Sequence, residues 1–310
     1  MISYIVTKQH EKKDLYDLLE SVYPNFSIRD QDKALKYGDI DFNGERADGT
    51  EHLKQGDRVD IFLPADIVGI DLTPQIVYQD ENFVIVDKPA GLLSASDYGE
   101  PNAVSLVEDC MKNQGEYNLN ALMVPYLVYN LEKDVSGLLI LSKHEEGYLF
   151  VMDALNQRRI SKHFLCPVVG ATEDEDELLA YYAKDKALTN ARILDKFQKG
   201  AKPIVTRYTT LARGETMSLI SARPVTNGLH QVRAHMAYYD LPVLGDDQYG
   251  NRRFNRKSGA IGLALCLKAL EFQTGKNHEY QYMNGKRFES EQISFPKCVY
   301  DEGLMDSLSF

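Results

Sequence analysis

Apolar and polar positions follow two rhythms along the chain, and the changes of rhythm mark its elements. Leu15, Leu18, Leu19 and Val22 recur at helical spacing until Pro24 and Asn25 break the pattern. Residues 28–37 predict a second helix, stopped by Gly38. Residues 40–42 read as a strand closed by an Asn43-Gly44 turn, and residues 59–62 as a strand entered through Gln55-Gly56-Asp57. Farther on, residues 76–86 give two strands about a polar turn. Leu138 to Leu141 is an apolar run too short for a helix and reads as a buried strand. Helices are predicted over 102–112 and 144–158, and a third after the turn at 223–230. Strands are predicted over 160–170, 205–211, 217–222, 265–272 and 286–295, with a hairpin inside 171–202.

This succession divides the chain into a small module at 1–64, a linker at 65–75 containing Gly69 and Pro74, a larger domain at 76–300, and a tail at 301–310 expected to fray. Strands dominate the larger domain, which is therefore of α+β class.

Composition narrows the picture. The chain has 310 residues, 44% of them hydrophobic, enough for one large core and one small one. No apolar run approaches the roughly 18–20 residues of a membrane span, and residues 1–13 hold no signal-peptide core. Cys110, Cys166, Cys266 and Cys298 stand far apart without a Cys-x-x-Cys pair, which predicts reduced thiols and a cytoplasmic protein. The net charge of −11 argues against an indiscriminate nucleic-acid binder. It leaves room for a local basic stripe that contacts phosphates. The acidic run at 173–177 reads as a solvated loop or helix start.

Several chemistries are unsupported. There is no G-x-G-x-x-G and no G-x-x-x-x-G-K-[ST], and no serine sits in a Gly-x-Ser-x-Gly elbow. His230 and His235 lack the intervening Glu of a His-Glu-x-x-His site, so no metal is expected and His230 reads as a loop-ordering side chain.

Four ordered stretches carry a positive signal. Residues 76–91 end in Lys88-Pro89-Ala90-Gly91. Residues 129–137 read Tyr-Asn-Leu-Glu-Lys-Asp-Val-Ser-Gly and run into the buried strand. Residues 160–170 place a cation shortly before Phe164 on a strand. Residues 223–236 read Arg-Pro-Val-Thr-Asn-Gly-Leu-His-Gln-Val-Arg-Ala-His-Met, with Pro242 to Asp246 and Tyr249-Gly250-Asn251 beyond them. In this order and context they resemble the motifs of the RluA-type RNA pseudouridine synthases over about residues 76–297. The first sixty residues resemble the αL-type (ribosomal-protein-like) RNA-binding domain that often precedes that family's catalytic domain.

The resemblance implies a long, bent, mostly antiparallel sheet around a central cleft. It also implies isomerisation of uridine to pseudouridine in RNA, with no cofactor. Ribosomal RNA is the first expected partner and transfer RNA the second, and nothing demands more than a monomer. Glu132 falls where the family has its nucleophilic Asp, Arg233 where a basic residue pairs with that carboxylate, and Phe164 where a Tyr is usual. Asn130, Lys133, His230, Gln231 and Lys88 fall at expected RNA contacts of the cleft, and Arg29, Lys33 and Lys36 on the RNA-facing helix of the small module. Asn130 and Gly228 replace arginines, and Tyr129 replaces a histidine.

The added methylene of Glu132 moves its carboxylate by roughly 1.5 Å, and a misplacement of about 1 Å can cost on the order of a hundredfold in rate. Two readings therefore stand. In one the protein is a pseudouridine synthase with Glu132 as a stand-in nucleophile. In the other it is an RNA-binding or ribosome-associated protein that keeps the fold without turnover, with Glu132 a structural partner of Arg233.

Overall fold

The computed structural model describes residues 2–70, 72–184, 190–275 and 278–306. The first part is a four-stranded antiparallel sheet in the order β1-β4-β2-β3, formed by β1 (Ile2–Ile5), β2 (Ile40–Phe42), β3 (Glu45–Arg46) and β4 (Arg58–Ile61). Helices α1 (Leu15–Val22) and α2 (Ile28–Tyr37) accompany it. The Asp14 side chain caps α1, Ser27 caps α2, and Gly38 ends α2 in the left-handed region at φ +79°. Leu15, Leu18, Leu19, Ala34, Ile40, Val59 and Ile61 form a core of its own. The stretch expected as a plain linker contains one helical turn, α3 (Ala65–Val68). Phe62 packs edge-on against Tyr300 at 5.2 Å, and Lys297 Nζ lies 2.5 Å from Asp41, so the module rests on the C-terminal end of the chain.

The larger part contains β5 (Gln75–Gln79), β6 (Phe83–Lys88), α4 (Ala103–Gln114), β7 (Tyr126–Leu127), β8 (Ser136–Ser142), α5 (Glu145–Asn156), β9 (Ile160–Val169) and β10 (Glu175–Lys184). After them come β11 (Ala191–Leu194), β12 (Lys202–Arg213), β13 (Met217–Pro224), α6 (Gln231–Tyr238), α7 (Arg252–Ser258), β14 (Cys266–Phe272), β15 (Arg287–Glu289) and α8 (Lys297–Asp301). Its long sheet runs β11-β10-β12-β13-β9-β14-β8-β6-β5, with β15 beside β14 and β7 beside β8. Every step is antiparallel except β14–β8. β6 and β8 are buried at every position, which explains why they read as continuous apolar runs. No helix among the described residues is long and apolar enough to cross a membrane.

Three expectations change. The acidic run 173–177 is neither a free loop nor a helix start, because Glu175 to Glu177 open β10 and pair with Arg207 to Thr209 of β12. The hairpin expected within 171–202 is β10–β11. The closing strand at 286–295 stops at Glu289, because the next N–H groups turn inward: Glu291 and Gln292 donate to the buried Asp87 carboxylate at 2.7 and 3.1 Å. The tail is ordered at least to residue 306, with Leu304 and Met305 packed beside Phe295 and Val299; residues 307–310 lie outside the described part.

Candidate active site

The loop that carries Glu132 is held from beneath. Lys88 is wholly buried, and its amine donates to the carbonyls of Pro89 (3.1 Å), Leu92 (2.7 Å) and Lys133 (3.1 Å). Burial pushes its pKa down to about 7, against the weaker opposing pull of the Asp134 carboxylate. Ser94 Oγ donates to the Leu131 carbonyl at 2.8 Å and accepts its N–H at 3.1 Å. Gly137 then turns the chain into β8 at φ +113°. A Cβ there would lie 2.3 Å from the Leu267 carbonyl oxygen, so only glycine fits where β8 crosses β14.

Arg233 comes from α6, packed against the sheet. Its Nε and Nη2 donate to the two carboxylate oxygens of Asp246 at 2.7 and 2.8 Å, and its Nη1 donates to Glu132. Asp246 also accepts the backbone N–H groups of Gln248 (2.8 Å) and Tyr249 (2.9 Å). Burial works to raise the pKa of Asp246, but the Arg233 bonds and these N–H groups outweigh it and hold it below the usual carboxylate range. Burial likewise works against the Arg233 charge, and the two carboxylates reverse it. The side chain of Asp246 is 0% exposed, that of Arg233 9% and that of Glu132 33%. One carboxylate is thus a sealed anchor and the other faces solvent.

Glu132 and Arg233 lie in a cleft of about 440 Å³. Phe164 forms part of its wall, and its neighbours across the strands are Ala222 and Leu267. Lys162, two positions earlier, points to the same face. Its amine lies 4.9 Å from the centre of the Tyr129 ring and 3.5 Å from Asn227 Oδ1, and burial pushes its pKa down to about 8. The Tyr129 hydroxyl donates to the Leu138 carbonyl at 2.8 Å, and burial raises its pKa. His230 Nε2 is 3.7 Å from Glu132, while Nδ1 meets the Tyr249 hydroxyl at 3.0 Å. Burial depresses the His230 pKa, and the Arg233 charge adds to this against the pull of Glu132 and Asp246.

The expected RNA contacts separate into groups. Asn130 and Lys133 are exposed, Asn130 at the cleft. Lys88 does not face RNA, because its three N–H groups are spent on buried carbonyls. Gln231 is an interior residue as well. Its Oε1 accepts from the Gly228 N–H (2.8 Å) and Thr226 Oγ1 (3.0 Å), and its Nε2 donates to the Val205 carbonyl (2.9 Å) and Thr206 Oγ1 (3.1 Å), fixing the turn before α6. On the exposed face of α2, Lys33 is paired with Asp30 at 2.8 Å and Lys36 lies over its neighbour Tyr37, while Arg29 lies near Asp30 without a hydrogen bond or ion pair among the described residues. Asp246 and Lys162 were not singled out from sequence. The legible signals were an Asp in a Gly-Asp turn soon after the 223–236 motif, and a cation two residues before Phe164 on one strand.

A family model described as RNA pseudouridylate synthase matches residues 82–238. The chain is 25% identical over 288 residues to a Bacillus subtilis protein named an uncharacterized RNA pseudouridine synthase, YlyB, covering 89% of this chain and 91% of that one. It is 26% identical over 298 residues to a protein of Xanthomonas campestris named ribosomal large subunit pseudouridine synthase D, covering 94% and 87%. Among solved structures, human RNA pseudouridylate synthase domain containing 4 matches with a TM-score of 0.56 at 18% identity, over 76% of this chain and 92% of that one, a likeness of fold.

Proposed function

The chain belongs to the RNA pseudouridylate synthase family, and from that premise we propose that it isomerises uridine to pseudouridine in ribosomal RNA, with Glu132 as the reacting carboxylate. The ribosomal substrate follows the names of several relatives. We assign the reaction to the cytoplasm and to a monomer working without a cofactor.

One observation carries the choice of catalysis over scaffolding. A guanidinium kept only for packing needs one counter-charge, and Asp246 already supplies it from the interior with both oxygens. Glu132 is a second carboxylate on the same cation, open to the cleft. Its negative charge suits a ribose C1′ that turns cationic as the C1′–N1 bond breaks. The freed base turns and bonds to C1′ through C5; C5 loses a proton and N1 gains one. Phe164 offers a ring face for the extruded base and no hydroxyl, so these protons pass through Glu132 or water. Residues 1–64 act as an accessory RNA-binding module in which Arg29 is the available cation of α2.

The test is pseudouridine formation in ribosomal RNA and, separately, transfer RNA from cells lacking the protein, with Glu132→Ala as control. Product above control in ribosomal RNA is the expected result. Background product from both proteins on both RNAs would leave the non-catalytic RNA-binding reading in its place.

A further inference from the structure

A gap opens in the sheet where β13 parts from β9. The two strands pair from Met217–Val169 to Ala222–Phe164 and no farther, while β9 stays paired with β14 down to Ile160. Arg158, Lys162, Arg207 and Arg223 line the resulting hollow of about 230 Å³, and none of its lining residues is a carboxylate. This is a dense patch of positive charge on a chain of net charge −11. Lys162, Pro224 and Asn227 line both this hollow and the catalytic cleft, so the two adjoin.

Two details point to an anion as the occupant. Arg207 and Arg223 are direct cross-strand partners, a placement in which like charges repel. Of the three carboxylates that line the neighbouring hollow with these arginines, Glu175, Asp176 and Glu177, only Glu177 bonds to Arg207, and the Arg223 side chain makes no hydrogen bond or ion pair among the described residues. Arg158 holds a left-handed φ of +61°, where glycine would sit without strain. Its charge, exposed at the mouth of the gap, is therefore kept at a conformational cost.

We propose that this gap seats a phosphodiester of the RNA strand beside the extruded nucleotide, held by Arg158 and Arg223 with Lys162 at the junction with the cleft. It would supply next to the cleft the positive charge that Asn130 and Gly228 do not provide. Guanidinium forks suit phosphate oxygens geometrically as well as electrostatically. The proposal rests on the RNA reading of the cleft.

The experiment measures the dissociation constant of the full chain for a single-stranded oligouridylate between about 50 and 200 mM salt. Each phosphate neutralised on a single strand contributes about 0.7 to the log–log salt slope, so Arg158→Gly with Arg223→Ala, which takes both guanidinium partners from the one phosphate seated here, should reduce the slope by about 0.7. Arg223→Lys should keep most of it, and Lys112→Ala, which removes a charge on α4, should leave it unchanged. Arg158→Gly should bind more weakly with an unchanged or higher melting temperature, an outcome that a purely structural role would not give. A wild-type slope in the double variant overturns the site and leaves the RNA reading intact. A wild-type chain that retains no oligouridylate overturns both.

Discussion

Glu132→Gln and Asp246→Asn each remove one carboxylate charge from the same guanidinium, yet the geometry predicts separable outcomes. Asp246 is fully shielded and holds four hydrogen bonds, two from Arg233 and two from backbone N–H groups. An Asn there turns an amide N–H₂ toward a donor and leaves the buried guanidinium short of one counter-charge. Breaking a buried pair in this way costs about 3–5 kcal/mol, a large part of the roughly 5–15 kcal/mol that holds a domain together. The melting temperature should drop by about 10 °C or more. Glu132 is different, because its side chain is one-third exposed and Arg233 keeps Asp246 when it is lost. A hydrogen bond between charged groups is worth about 1.5–3 kcal/mol, and solvent screening lowers that to about 1 kcal/mol. Glu132→Gln should therefore shift the melting temperature by only about 2–4 °C. Its effect on turnover should be far larger, a fall of about 10²–10⁴-fold. Tritium released from RNA transcribed with uridine labelled at C5 counts turnovers, and thermal unfolding followed by circular dichroism gives the stability. A Glu132→Gln protein that releases tritium at the wild-type rate, or that loses as much stability as Asp246→Asn, would make Glu132 a structural carboxylate and refute the reasoning.

Gly137→Ala should cost about 3 kcal/mol or more, since its Cβ meets the Leu267 backbone at 2.3 Å and the positive φ adds strain; denaturant unfolding measures this, and turnover should fall as the loop shifts. Asn130→Arg with Gly228→Arg should tighten oligouridylate binding and steepen the salt slope by about 0.7 per added contact, because Asn130 is exposed and the nearest atoms to a Cβ at Gly228 belong to the side chains of Gln231 and Ile204, none closer than 3.3 Å; an unchanged slope would place the RNA path elsewhere. Burial raises the folded-state pKa of Asp39 from 3.8 to about 6, so the protonated form favours the fold, and stability is greatest below about pH 4, falls as pH rises through about 6, and levels off above. Asp39→Asn should remove that decline and raise stability at pH 8 by about 1–2 kcal/mol, while matching the wild type near pH 4; an equal pH profile in thermal unfolding would show that Asp39 titrates normally.

Local periodicity exposed the elements whose burial is simple. Helices α1 and α2 bury one stripe each, and β6 and β8 bury both faces, so 3.6-residue spacing and unbroken apolar runs locate them. β10 was harder to see because its first three residues are exposed acids; the alternation begins at Leu178, and what makes those acids a strand is pairing with β12, about thirty residues away. The contact of Glu132 with Arg233 spans 101 positions and no periodicity connects them; the motif order alone brought them together. Asp246 stayed hidden for a related reason. A Gly-Asp pair usually marks a turn, and only the fold reveals that its carboxylate points inward at a cation thirteen residues earlier. Lys88 and Gln231, expected at RNA contacts, bond inward instead, because sequence does not distinguish a polar group that meets a ligand from one that satisfies a buried carbonyl.

The positions where this chain reads differently from the motifs it resembles share a location. Tyr129, Asn130, Glu132, Phe164 and Gly228 all line the cleft, whereas Lys88, Gly137 and Asp246 match the motifs and hold the frame from behind it. Loss of function with retention of fold would account for change at the exposed Asn130, although Phe164 and Tyr129 also pack in the core. It would not account for a second carboxylate set on an already neutralised guanidinium, nor for like-charged arginines kept side by side at the adjoining gap. Glu132 and Asp246 share the single charge of Arg233, and Arg223 lies beside an Arg207 already paired with Glu177, so each arrangement leaves one charge that a further partner of opposite sign would balance. A ribose that becomes cationic at C1′ and an RNA phosphate are such partners. On the proposed function, these are the contacts of a cleft retuned around uridine isomerisation rather than retired from it.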